Sequence, residues 1–151
     1  MNLPALRKTL LHALLPAAAL VLGAHALAGE PATDEAALAR KPIEAYLQGH
    51  ATGDPAYMRA AFLPTAHIEG MREGHFVSWT ADEYISRFNG KPAADEAQRT
   101  RRIDSVEING SAGTARATLT FPNAVVTDFF VLLKVDGEWK IANKVYSSQK
   151  R

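Results

Sequence analysis

The chain has 151 residues, 17 Lys and Arg against 16 Asp and Glu, and no cysteine. A near-neutral balance argues against a binder of nucleic acid or anionic membrane, and the absence of cysteine excludes disulfides and a lipid-anchored amino terminus. One core is what a chain of this length supports.

The first segment reads as a removable address. Arg7 and Lys8 precede an apolar run from Leu10 to Leu22, and Ala26-Leu27-Ala28 supplies a small-x-small cleavage site. Residues 1–28 are therefore expected to be a signal peptide cut after Ala28, with export to a periplasm or beyond. Cleavage removes Arg7 and Lys8, so 17 basic residues become 15 against 16 acidic in a mature chain of 123. Once the signal is gone, no membrane association is expected. Residues 29–33 form a linker and 34–151 a single domain.

A helix is predicted over Asp34–His50, with Leu38, Ile43, Tyr46 and Leu47 as its apolar stripe and either a kink or a fresh start at Pro42. Asp54-Pro55 then pairs an N-cap with proline at the first helical position, opening a helix that turns Tyr57, Ala61 and Phe62 inward. Two short strands, 66–70 and 75–79, flank Arg72-Glu73-Gly74. Thr80-Ala-Asp-Glu83 is a capping box for a third helix bearing Tyr84, Ile85 and Phe88, with Trp79 and Tyr84 placed as a hydrophobic staple. After a loop over 91–98, the chain becomes a β-meander with turns at Asn109-Gly110, Pro122-Asn123 and Asp136-Gly137. The order, helices first and a long sheet after, is α+β.

Asp136-Gly137 reads as a type I′ hairpin turn, and strand pairing can be counted back from it. A regular ladder places Asp128 opposite Val145 and Phe130 opposite Asn143. Asp128, Phe130, Leu132, Trp139, Ile141, Asn143 and Val145 then share the inner face. Continuing through a tight turn at Pro122-Asn123 sets Ala117 opposite Asp128, and a further step sets Arg102 opposite Ala117. A bulge at Gly113 would substitute Arg101. Asp128 is thus either the polar floor of a pocket or one half of a structural pair with Arg102 or Asn143. The other face, with Thr127, Phe129, Val131, Leu133 and Val135 beside Lys140, Ala142, Lys144 and Tyr146, is expected to form a homodimer.

The segments PIEAYLQGHATGD (Pro42–Asp54), AAFLPTAHIEG (Ala60–Gly70), GHFVSWTADEYISRF (Gly74–Phe88) and TDFFVLLKVDGEWKIANKVY (Thr127–Tyr146) resemble the nuclear transport factor two-like superfamily. Within it they are most similar to the "putative lumazine-binding" family. The resemblance implies a cone: N-terminal helices packed on a strongly curved mixed or antiparallel sheet, with a pocket between them. In the isomerases of this fold, carboxylates lining that pocket transfer protons.

Two main readings follow. One is a non-catalytic binder of a small, partly aromatic or apolar molecule, using Asn143, Arg102, Trp79, Tyr84, Phe88, Phe130 and Trp139 as ligand contacts. The other is an isomerase- or cyclase-type enzyme in which Asp128 transfers a proton with Tyr46 or His67 as donor. A third is an interaction module that uses the outer sheet face for another protein. No cofactor is expected. His67, Glu69 and His75 could be drawn as a metal set, but a polar hairpin accounts for them equally, and no metal is assigned.

Overall fold

The computed structural model describes residues 34–151; the expected signal peptide and linker lie outside them. Helix α1 runs over Glu35–Thr52, with the Asp34 side chain accepting from the Ala37 N–H as N-cap. Pro42 stays inside the helix, on its buried side, and the helix does not restart there. Gly53 ends it in the left-handed region, φ 71°, where a side chain would be strained. Helix α2, Pro55–Ala61, starts at the Asp54 cap and buries Met58 and Ala61; Tyr57, expected inward, is exposed.

Strands β1 (His67–Arg72) and β2 (His75–Thr80) form a hairpin. Helix α3, Ala81–Ile85, opens with both reciprocal bonds of the capping box between Thr80 and Glu83. A single 3₁₀ turn at Glu96–Gln98 interrupts the following loop. The meander then comprises β3 (Thr100–Asn109), β4 (Ala112–Phe121), β5 (Ala124–Val135) and β6 (Glu138–Lys150). Asp136 and Gly137 both have positive φ, 50° and 84°, as a type I′ turn requires.

The six strands form one mixed sheet in the order β2-β1-β6-β5-β4-β3, with β1 parallel to β6. All three helices cover its inner face. Ile43, Tyr46, Met58, Ile68, Leu119, Phe130, Leu132 and Ile141 fill the space between as the centre of the core. Among the described residues, no helix is long and apolar enough to cross a membrane.

Two bulges and one displaced turn correct the expected register. In β6, Leu132 pairs with Ile141 but Val131 pairs with Asn143, leaving Ala142 as the extra residue. Beyond it every side chain changes face, so Asp128 pairs with Tyr146 and Phe130 with Lys144. Lys144 turns inward; Asn143 and Val145 turn outward. Between β3 and β4 the turn falls at Gly110-Ser111 rather than Asn109-Gly110, so Asn109 pairs with Ala112 and the count moves by two; a bulge at Asp104 takes back one, and Ile103, not Arg102, stands opposite Ala117. The tight turn at Pro122-Asn123 holds as expected, and Ala117 faces Asp128.

A buried polar cluster between helix and sheet

The β6 bulge gives Asp128 its partner. Lys144 Nζ lies 2.7 Å from Asp128 Oδ1, and the Tyr46 hydroxyl donates to Oδ2 at 2.7 Å. Lys144 also donates to the Tyr46 oxygen at 2.9 Å, which closes a triangle of three hydrogen bonds. Asp128 is 0% and Lys144 4% exposed. Burial of two full charges is tolerable only because each is the other's partner and the carboxylate is further hydrogen-bonded.

Three tyrosine rings surround the ammonium. Nζ is 5.0 Å from the Tyr46 ring centre and 5.3 Å from those of Tyr84 and Tyr146, within range of cation–π attraction. Small neighbours make room for the pair: Ala117 and Ala115 lie beside it on β4, and Gly70 on β1 has no side chain where the Tyr146 ring sits. Tyr84 extends the network, its hydroxyl 2.9 Å from His50 Nε2. The His50 carbonyl is in turn held by Arg101, which makes a bidentate pair with Glu96.

Tyr46, Tyr84, Lys144 and His50 are displaced away from neutrality. Burial raises the Tyr46 phenol well above its ordinary range, and the Asp128 charge adds to this. Burial also raises Tyr84, although Lys144 opposes it. For Lys144, burial is the largest single influence and pulls the ammonium down; Tyr84, Asp128 and Tyr146 together more than reverse it, leaving it raised. His50 is lowered well below its ordinary value by burial, then by Lys144, Arg101 and Arg99.

These directions fix a pH dependence of stability. With Tyr46 and Lys144 raised above ordinary values of 10.0 and 10.5, the native state keeps protons that the unfolded chain releases. Their contribution is complete below about pH 10 and is lost as pH rises through the native values. His50 behaves oppositely: its contribution is present above 6.5 and is lost as pH falls toward the native value. Melting temperature measured against pH should therefore fall on the alkaline side with a slope that the Tyr46→Phe variant reduces. A flat profile between pH 9 and 11 would contradict the assignment.

The candidate residues do not all gather here. Asp128, Tyr46, Tyr84 and Phe130 do, with Phe130 edge-on to Tyr46 at 5.1 Å. Trp79 stacks parallel to Tyr146 at 6.4 Å, and Phe88 packs on Tyr84 at 5.5 Å. Trp79, Phe88 and Tyr146 are each only partly buried, so they lead from the surface toward Lys144. Arg102 is on the outer face, bonded to Asp104 at 2.6 Å rather than to Asp128. Asn143 faces outward as well and accepts from the His67 backbone N–H; the His67 side chain is exposed and outside the cluster. Trp139 is at the turn end of the hairpin, where its indole N–H donates to Glu35. His67 and His75 stand at opposite ends of the β1–β2 hairpin, and among the described residues no three metal-capable side chains converge. Lys144 was missed because the regular count put it outside. A buried carboxylate requires a countercharge, and one bulge in β6 would have supplied it.

Helices over one face of a six-stranded mixed sheet are the architecture of the nuclear transport factor two-like α+β fold, and solved structures agree. An NTF2-like protein of unknown function from Silicibacter pomeroyi is 22% identical with a TM-score of 0.69, over 80% of this chain and 100% of that one. One from Methylobacillus flagellatus is 26% identical with a TM-score of 0.68, over 80% and 96%. A ketosteroid isomerase-like protein from Erwinia carotovora is 17% identical with a TM-score of 0.59, over 77% and 97%. The family model described as "Putative lumazine-binding" matches residues 34–147, and the chain belongs to that family. No functionally curated protein matches it.

Proposed function

We propose that the domain is an exported, non-catalytic binder of a small planar molecule, which enters over Trp79, Phe88 and Tyr146 toward the Lys144 end of the polar cluster. The observation that carries this reading is the file of partly exposed rings on the inner face, ending at a caged ammonium. Aromatic walls with a few fixed polar groups suit flat ligands. The family description and the fold favour a ligand-binding role, and the leader-like residues 1–28 favour export.

Catalysis is the poorer fit. Both Asp128 oxygens are engaged, and Tyr46, Tyr84, Lys144 and His50 are all shifted away from the neutral range in which a general acid or base works best. An isomerase would need Asp128 released from Lys144.

The test is a thermal-shift and tryptophan-fluorescence screen of planar heterocycles, lumazine among them, together with native mass spectrometry of the purified protein. A binder should raise the melting temperature and quench Trp79 emission. Trp79→Ala should weaken that binding about tenfold, the scale of one lost aromatic contact, while keeping the fold. The reading fails if no compound in the screen shifts the melting temperature and nothing co-purifies.

A further inference from the structure

Among the described residues, two buried side-chain polar atoms have no hydrogen-bond partner, and both are arginine Nε–H groups, of Arg99 and Arg101. Buried donors are almost always satisfied, so two orphans in one place need a reason. Both belong to the run Arg99-Thr-Arg-Arg102. Arg102 points outward, whereas Arg101 stands opposite Leu119 on the inner face of the sheet. Arg99, two residues back, lies 4.8 Å over the Phe121 ring. The Arg101 side chain is only 11% exposed. The acids that pair with them both come from the loop before β3. Asp95 takes Arg99 at 2.6 Å, and the two Glu96 oxygens accept from the two Arg101 Nη atoms at 2.6 Å. The same guanidinium reaches the His50 carbonyl at 3.1 Å, and Phe88 packs edge-on against the His50 ring at 5.3 Å. His50 is lowered first by burial and then by the charges of Lys144, Arg101 and Arg99, which marks this end of the cluster as electropositive. Glu96 is thus a loop carboxylate seated on a buried fork beside the ring-lined entrance.

We propose, on the binder reading above, that the ligand is a planar carboxylic acid: its carboxylate replaces Glu96 on Arg101 while its ring lies along Phe88 and Trp79. A guanidinium fork meets a carboxylate in two parallel bonds and so selects it over a neutral polar group. A ligand acid also offers lone pairs to the Nε–H groups that the loop acids leave without an acceptor. Glu96 can give way because it sits on a 3₁₀ turn, Glu96–Gln98, that buries none of its residues, and its own side chain is 27% exposed even when paired. Released, it becomes a solvated surface charge. While seated, it competes with the ligand from within the chain, at an effective concentration of about millimolar for so short a tether.

Titration calorimetry with naphthoate and its neutral counterpart naphthamide separates the charge from the ring. Naphthoate is expected to bind about tenfold tighter. Glu96→Ala removes the internal competitor and should tighten naphthoate by about tenfold more while leaving naphthamide unchanged. Glu96→Gln, which keeps the side-chain size, should shift it in the same direction. Arg101→Lys keeps the charge but not the fork, and should weaken naphthoate about tenfold. If the Arg101–Glu96 pair is only structural, both Glu96 variants bind naphthoate no better than the wild type, and the proposal is overturned. Equal affinity for the two compounds overturns it as well; the binder reading then survives and only the acid end of the ligand is lost. If neither compound binds, to the wild type or to Glu96→Ala, both fall together.

Discussion

Asp128→Asn is expected to lower stability by about 3–5 kcal/mol, which for a domain of this size is a melting temperature lower by about 10–20 °C. The asparagine keeps nearly the same shape and can still accept from Tyr46. What it removes is the charge opposite Lys144, leaving an ammonium 4% exposed with no ion partner. The three tyrosine rings offset part of that cost, but not the whole of it. Lys144→Met should cost a similar amount for the mirrored reason, an unpaired buried carboxylate. The decisive measurement is the double variant Asp128→Asn with Lys144→Met. Once both charges are gone there is no bare ion to desolvate, so the double change should cost less than either single change. Additive losses in urea denaturation would mean that the two groups act separately, and the description of a self-neutralising pair would be wrong.

Much of this arrangement is legible in the sequence because it is written in local chemistry. Asp54-Pro55, Thr80 with Glu83, and Asp136-Gly137 each demand one backbone geometry, and each adopts it. The count from the last turn is sound for four pairs, through Leu132 and Ile141. It then fails at Ala142, because a bulge in the sequence Ala-Asn-Lys carries no glycine or proline to announce it. In β3 the count fails first at the turn, which falls at Gly110-Ser111 instead of Asn109-Gly110, and then at Asp104, whose bulge is held by the Thr118 hydroxyl at 2.6 Å and by Arg102, contacts that exist only after β3 and β4 have paired. Since side chains alternate, one unmarked residue is enough to exchange Asn143 for Lys144 at the centre of the cluster. The parallel pairing of β1 with β6 is equally non-local: residues about 76 apart in the chain are joined by the bond from the His67 N–H to Asn143.

Gly53→Ala is expected to cost about 3 kcal/mol, well above the usual effect of adding one methyl group. Two terms combine. At φ 71° an alanine carries about 1–2 kcal/mol of left-handed strain, and its Cβ would fall on the backbone of Lys91, whose carbonyl oxygen cannot rotate away as a side chain would. Gly90 separates the two, because its φ is 80° but nothing stands within 4 Å of its added Cβ. Gly90→Ala should therefore show the strain alone, about 1–2 kcal/mol, and the excess at Gly53 measures the collision. That collision also bears on the cluster. The Gly90 N–H donates to the Gly53 carbonyl at 2.8 Å, which ties the loop after α3 to the end of α1. One turn back along α1, His50 touches Tyr84 and takes Arg101 on its carbonyl. Displacing Lys91 should loosen the loop that carries Phe88 and Glu96, the partner of Arg101, so hydrogen exchange should quicken over residues 86–99 before it quickens in β5. Equal destabilisation by the two alanines, with no local change in exchange, would show that the contact between Gly53 and Lys91 does not hold this end of the domain together.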